Sequence, residues 1–316
     1  MSLLFASKYP FTDEARELVK QRNIQITPDF LQRARDRVYK ALTSGKLDKA
    51  PVFSDDVKEQ ELASYPIAKL LVGALNSRYF AGRYAVAESK RVSDYLRSDS
   101  EENVERVAES LGIRVAHDSP YSVPFQDYLA FCPKSTEYKL INKRLENGRV
   151  HLTKNELVRV IEEAVRLSIE DSLPSKSDRI PEKIRKAAAE LRKSLPKEEV
   201  FEGVVFLSED EYPPCISKLL ERIRKSENLP HTARWYLATF LLNTGTKVEG
   251  VIKVFKSAPD YDERITRYQV EYLANRKYSV PSCSSVDSYG LCVADCRVRH
   301  PLNYKKGSKW KKNSSK

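Results

Sequence analysis

Four cysteines in the last third of this 316-residue chain constrain its fold most: Cys215, Cys283, Cys292 and Cys296. The last three fall within fourteen residues, and 67 residues separate Cys215 from Cys283. Four thiolates suffice to close a tetrahedral metal site or to hold one cubane cluster. A free-standing zinc knuckle takes its ligands in close pairs. One distant ligand with three clustered ones instead requires a small folded domain between them. The spacing alone leaves zinc and iron–sulfur both open, with zinc slightly ahead. His300, soon after Cys296, is an alternative ligand, but four thiols leave it outside the expected set.

The context of these thiols favours metal over disulfides. The opening Met-Ser-Leu-Leu-Phe-Ala-Ser-Lys is too short in apolar residues for a signal peptide, and no stretch reaches the length of a membrane span. An intracellular, cytoplasmic protein is expected, where clustered cysteines are metal ligands more often than disulfide partners. Cys132 stands apart and reads as an ordinary half-buried thiol. The net charge of +11 fits a polyanionic partner. From Arg297 to Lys316 there are eight Lys or Arg and no acidic residue, and the last part reads as a basic flexible tail.

Helical periodicity dominates elsewhere, so the fold is expected to be mainly α. Thr27-Pro28-Asp29 reads as a helix start, and Phe30, Leu31, Ala34, Val38 and Leu42 follow at helical spacing. Residues 64–76 read as a buried helix, with a further helix after Arg78. Residues 101–112 form another, ended by Gly112. Around 113–133 the pattern shortens to strands or irregular structure, a small β or α/β element, and His117 there reads as structural. Thr153 and Glu156 have the spacing of a capping box ahead of an apolar helix running to about 172. A break over 172–181 precedes a charged helix. The domain boundary is expected near 208–212, giving residues 1–210, 211–304 and a tail over 305–316.

Within the C-terminal domain, Cys215 follows two prolines at the start of a helix carrying Ile216, Leu219, Leu220 and Ile223. A helix N-terminus would favour its thiolate. His231 and Arg234 stand at the start of the next helix, where free N–H groups and the dipole favour phosphate. Trp235 beside them reads as core. A third helix carries Arg264, Arg267 and Tyr268, fit to hold backbone phosphates or stack on bases. Asp260, Asp262 and Glu263, like Asp55 and Asp56, read as surface carboxylates rather than a Mg²⁺ set. No nucleophile, triad or acid–base pair emerges. A stand-alone DNA-binding or repair protein with a structural metal site is one reading, and a basic scaffold for acidic partners is another.

The ordered motifs P-P-C-I (213–216), N-L-P-H-T-A-R (228–234), R-Y-Q-V-E-Y (267–272), Y-S-V-P-S-C (278–283), G-L-C-V-A-D-C (290–296) and H-P-L-N-Y (300–304) are shared with a known family. Over about 212–304 the chain resembles the large subunit of archaeal/eukaryotic-type DNA primase, the archaeal form most closely. The N-terminal part is joined to it by length and helical character. The resemblance implies a [4Fe–4S] cluster on Cys215, Cys283, Cys292 and Cys296, in place of zinc. It implies that the helical N-terminal domain docks the small catalytic primase subunit, with a third subunit as a further partner in some members. It also implies a non-catalytic role near the nucleoid, supporting RNA primer initiation on single-stranded DNA and influencing primer length. His231 and Arg234 fall where the family holds primer or NTP phosphates, and Tyr268 at a family aromatic position. Where eukaryotic members carry an arginine just before the histidine, this chain has Pro230. Lys225 is a candidate to replace that contact.

Overall fold

The structure is a computed structural model and describes residues 2–50, 54–118, 120–174, 180–196 and 212–304. The chain divides into two compact units, Met1–Lys197 and Glu198–Lys316. The boundary expected at 210/211 and the basic tail expected over 305–316 lie outside the described residues.

Unit 1 is mainly helical, as expected. Its elements are α1 (Leu3–Lys8), α2 (Asp13–Gln21), α3 (Pro28–Ser44), α4 (Asp55–Ala74), α5 (Arg78–Ser98), α6 (Glu101–Ser110), β1 (Tyr121–Pro124), α7 (Phe125–Phe131), β2 (Leu145–Glu146), β3 (Arg149–Leu152), α8 (Lys154–Ser172) and α9 (Glu182–Ser194). The caps follow side-chain chemistry. Thr27 accepts from the Phe30 N–H with Pro28 in the first turn, and Thr153 and Glu156 close a reciprocal capping box on α8. α4 starts nine residues before the expected 64 and carries Pro66 inside it. Asp55 and Asp56 sit in its first turn, where carboxylates suit the helix dipole, and Asp55 pairs with Lys58 at 2.8 Å.

The three strands form one antiparallel sheet in the order β1-β3-β2, with Val123 opposite Val150 and Leu145 also opposite Val150. Only β1 falls where strands were expected. Asn147 and Gly148 join β2 to β3, both at positive φ (49° and 74°). Asn-Gly is the residue pair such a tight hairpin needs, and it was the overlooked signal. His117 lies against Glu105 and the Tyr121 ring, a structural setting. Half-buried Cys132 has no other cysteine in its unit.

The core of unit 1 contains a charge network that periodicity did not disclose. α3 packs on α4, and α5 on α8. Between them Arg37 donates to both Glu88 oxygens at 2.5 and 2.9 Å, with both side chains 3% exposed. Arg91 donates to Glu61 at 3.1 Å and Arg33 to the same carboxylate at 2.8 Å. Removing one member of such a set strands its partner's charge, so Glu88→Ala is expected to cost about 3–5 kcal/mol. Burial alone would raise the Glu61 carboxyl, but Arg37, Arg91 and Arg33 outweigh it. They bring its pKa from 4.5 down to about 2. A depressed carboxyl stabilises the fold fully above about pH 4.5 and loses that contribution as pH falls toward 2. Thermal melts of unit 1 at stepped pH check both statements. An unchanged melting temperature in Glu88→Ala would remove the network's structural role.

Unit 2 is built from α10 (Pro214–Arg224), α11 (His231–Asn243), α12 (Val248–Phe255), α13 (Glu263–Asn275) and the short α14 (Cys283–Ser288). Ile216, Leu219, Leu220 and Ile223 of α10 meet Tyr236, Leu237, Phe240 and Leu241 of α11, Val251, Ile252 and Val254 of α12, and Val270 of α13. The stretch after α13 contributes little: from 283 to 304 only Val286 and Pro301 are buried. Among the described residues of both units, no helix is long and apolar enough to cross a membrane.

Candidate functional site

The four cysteines of unit 2 line one cavity of about 330 Å³, together with Pro213, Val286 and Pro301. Each arrives by a different local device. Cys215 sits in the first turn of α10, behind Pro213 and Pro214, and its Sγ lies 3.2 Å from the Tyr236 hydroxyl. Cys283 begins α14 and donates its N–H to the Arg299 carbonyl at 3.0 Å. Gly290, at φ +69°, ends α14 and turns the chain toward Cys292. Cys292 and Cys296 both have Sγ 3.5 Å from the Ala294 carbonyl. All four are free thiols. Among the described residues, no group of three or more His, Cys, Asp or Glu side chains is gathered to hold a metal ion.

The helix start does not lower the Cys215 thiol as expected. Burial pushes it up, and burial followed by neighbouring thiols does the same to Cys283 and Cys296. At Cys215 desolvation of the thiolate outweighs the hydrogen bonds from the Tyr236 hydroxyl and the first-turn backbone N–H groups. His300 hydrogen-bonds the Val280 carbonyl at 2.9 Å and caps the 3₁₀ turn Pro301–Asn303, so its ring is committed outside the cavity.

A second cavity, about 320 Å³, lies between α11 and α13 and holds three of the expected contact residues: His231, Arg234 and Tyr268. α11 starts at His231 without a side-chain cap. His231 is exposed. Trp235, expected in the core, is only partly buried and forms one wall. Tyr268, 70% exposed, stacks on Tyr272 at 6.4 Å and 28°, and Tyr272 meets Tyr278 at 6.1 Å. Tyr278 in turn stands edge-on to Trp235 at 6.4 Å. This run of rings, of which only Tyr268 was singled out, follows from Tyr268 and Tyr272 lying one helical turn apart.

Arg264 and Arg267 are not among the lining residues. Arg264 is exposed at the start of α13. Arg267 is held by carboxylates, with Glu249 at 3.2 Å and Glu263 at 3.5 Å. Lys225 pairs with Glu221 at 2.5 Å and lies outside the cavity wall.

Residues 206–312, which hold all four cysteines and the whole α11–α13 cleft, match the family described as the eukaryotic and archaeal DNA primase large subunit, C-terminal domain. Similarity to whole proteins reaches much further along the chain. The DNA primase large subunit PriL of Methanocella arvoryzae is 34% identical over 94% of this chain and 87% of its own length. That of Methanococcoides burtonii is 33% identical over 96% and 92%, and that of Halobacterium salinarum 29% over 94% and 91%. The chain belongs to the family of archaeal DNA primase large subunits. Its N-terminal unit, which length and helical character alone tied to the family, is thus covered as well, and the stand-alone repair alternative falls away.

Proposed function

We propose that this chain is the non-catalytic primase subunit that supports de novo RNA primer initiation on single-stranded DNA by holding the 5′ triphosphate of the initiating nucleotide. The observation that carries this is the convergence of His231, Arg234 and Tyr268 on one cavity. The open start of α11 offers N–H groups to an anion, Arg234 and His231 add donors, and the tyrosines offer faces on which template bases stack. Arg264 extends the basic surface for the template. Arg267, held by glutamates, contributes mainly by orienting α13.

Unit 2 acts in this reading by removing freedom. The small catalytic subunit aligns two nucleotides on the template and makes the bond. Holding the 5′ nucleotide at Arg234 and His231 lowers the entropic cost of that encounter. Continued hold on the 5′ end would influence primer length. Unit 1 would dock the catalytic partner, and its exposed apolar residues around α7 and the hairpin support this: Ile141 is 89% exposed, and Leu129 and Leu145 about half. The site of action is the cytoplasm, at the nucleoid.

The cysteine cavity fits a [4Fe–4S] cluster on Cys215, Cys283, Cys292 and Cys296. A cavity of about 330 Å³ lined by all four cysteines has room for a multi-atom cluster. When bound, the cluster supplies the positive charge that four crowded thiolates require, and it ties α10 to the 283–296 segment.

Reconstitution tests the proposal. The chain alone should make no primers. Added to the catalytic subunit, it should stimulate initiation from nucleotides far more than extension of a ready-made primer. Robust synthesis by the chain alone, or equal stimulation of both steps, would overturn it.

A further inference from the structure

The acidic run Asp260-Tyr261-Asp262-Glu263 has no part in the mechanism above, yet its carboxylates are not idle. Asp262 caps α13, accepting from the Ile265 N–H at 3.0 Å, and Glu263 faces Arg267 at 3.5 Å. Asp260 instead meets Arg234, a residue of the cleft wall. Its two oxygens accept from Arg234 Nη2 at 2.6 and 2.7 Å. The same Nη2 donates to Asn228 Oδ1, and Arg234 Nε donates to the Leu229 carbonyl at 2.8 Å. The two side chains are 25% and 18% exposed.

A guanidinium carries five N–H donors in a rigid plane. Here the Nε–H and both Nη2 hydrogens are engaged by three acceptors from two different loops. One loop joins α10 to α11, and the other joins α12 to α13. Nη1 is left as the free end among the described residues. Both two-pronged edges of the fork, Nε–Nη2 and Nη1–Nη2, include Nη2, which Asn228 and Asp260 already engage. A ligand phosphate therefore meets Arg234 end-on, through Nη1.

We propose that Asp260 is a positioning residue. With Asn228 and the Leu229 carbonyl it locks Arg234 in one orientation, so that a 5′ phosphate is met by a donor already in place. Two physical terms support this. An arginine side chain carries considerable rotamer entropy, and losing it during folding removes it from the cost of binding. A guanidinium mostly withdrawn from water also needs a carboxylate to remain there. The proposal rests on Arg234 being a phosphate contact.

The test uses the full chain with its catalytic subunit and a short RNA annealed to DNA, carrying either a 5′ triphosphate or a 5′ hydroxyl. The ratio of the two affinities isolates the phosphate contribution. Arg234→Ala should lower it. Asp260→Ala should lower it roughly tenfold, the scale of one charged hydrogen bond. The double variant should fall no further than Arg234→Ala, because both act through one group. Asp260→Asn keeps the shape and one acceptor, and should fall in the same direction by less. It decides the matter if Asp260→Ala folds poorly. An unchanged ratio in the Asp260 variants overturns the proposal. A raised ratio overturns it too, by making Asp260 a competitor for Arg234.

If Arg234→Ala leaves the ratio intact, the phosphate reading itself has failed. The lock is then judged by the ¹⁵N-resolved Arg234 Nε–H signal of the full chain. Slow exchange with water in the parent and fast exchange in Asp260→Asn supports the lock. Equal exchange in both removes it.

Discussion

A Cys292→Ser variant is expected to fail to hold the proposed iron–sulfur cluster and, with it, to lose the ordered conformation of the segment from Cys283 to Tyr304. The reason lies in how little else holds that segment. Of its described residues only Val286 and Pro301 are buried, and its regular structure is one short helix and a 3₁₀ turn. A polypeptide with so few apolar contacts cannot offset the backbone entropy of ordering, roughly 1–2 kcal/mol per residue. In the proposed reading cluster ligation supplies the difference, since binding free energy at such a site is folding free energy, on the order of 10 kcal/mol for structural metals. The core of α10, α11 and α12 draws on the loop only through Val286 and Leu291 and should persist. Iron analysis of anaerobically purified protein should give about four atoms per chain for the parent. Hydrogen exchange should show residues 283–304 losing protection in the variant while α11 keeps it. A parent protein carrying stoichiometric zinc and no iron would overturn the cluster, and a variant with full iron would remove Cys292 from it.

The second large effect concerns chemistry rather than folding. Arg234→Ala should reduce initiation by one to two orders of magnitude, the scale of a lost charge-assisted contact to phosphate, and leave primer extension close to normal. Arg234→Lys is the informative control. Lysine keeps the charge but cannot present a planar group locked by Asp260, Asn228 and the Leu229 carbonyl. Most of the loss should therefore remain. Equal loss of initiation and extension would show that the substitution damages the assembly, not the grip. The alanine variant also leaves the Asp260 carboxylate without its partner, so melting temperatures must accompany the rates.

What each reading reached depends on the range of the forces involved. Helix caps, apolar stripes and turn residues act within a few positions, so the mainly helical fold and the capping box of α8 were legible. The Asn147-Gly148 hairpin was equally local and was simply overlooked. The Arg37–Glu88 pair joins residues 51 positions apart, and no periodicity marks a charge that will be buried. Asp260 is the sharper case. Its run looked like solvated surface, and nothing in it says that one carboxylate faces an arginine 26 positions earlier.

By itself the order of residues determined which thiols are available, where helices such as α3 and α8 start and that a basic, aromatic module ends the described chain. Only the tertiary structure decided that four thiols share a cavity, that burial raises the Cys215 thiol despite its place at a helix start, and that Asp260 and Asn228 hold Arg234 while glutamates hold Arg267. Those outcomes turn on desolvation and on which opposite charge lies nearest. Both are set by packing between elements far apart in the chain.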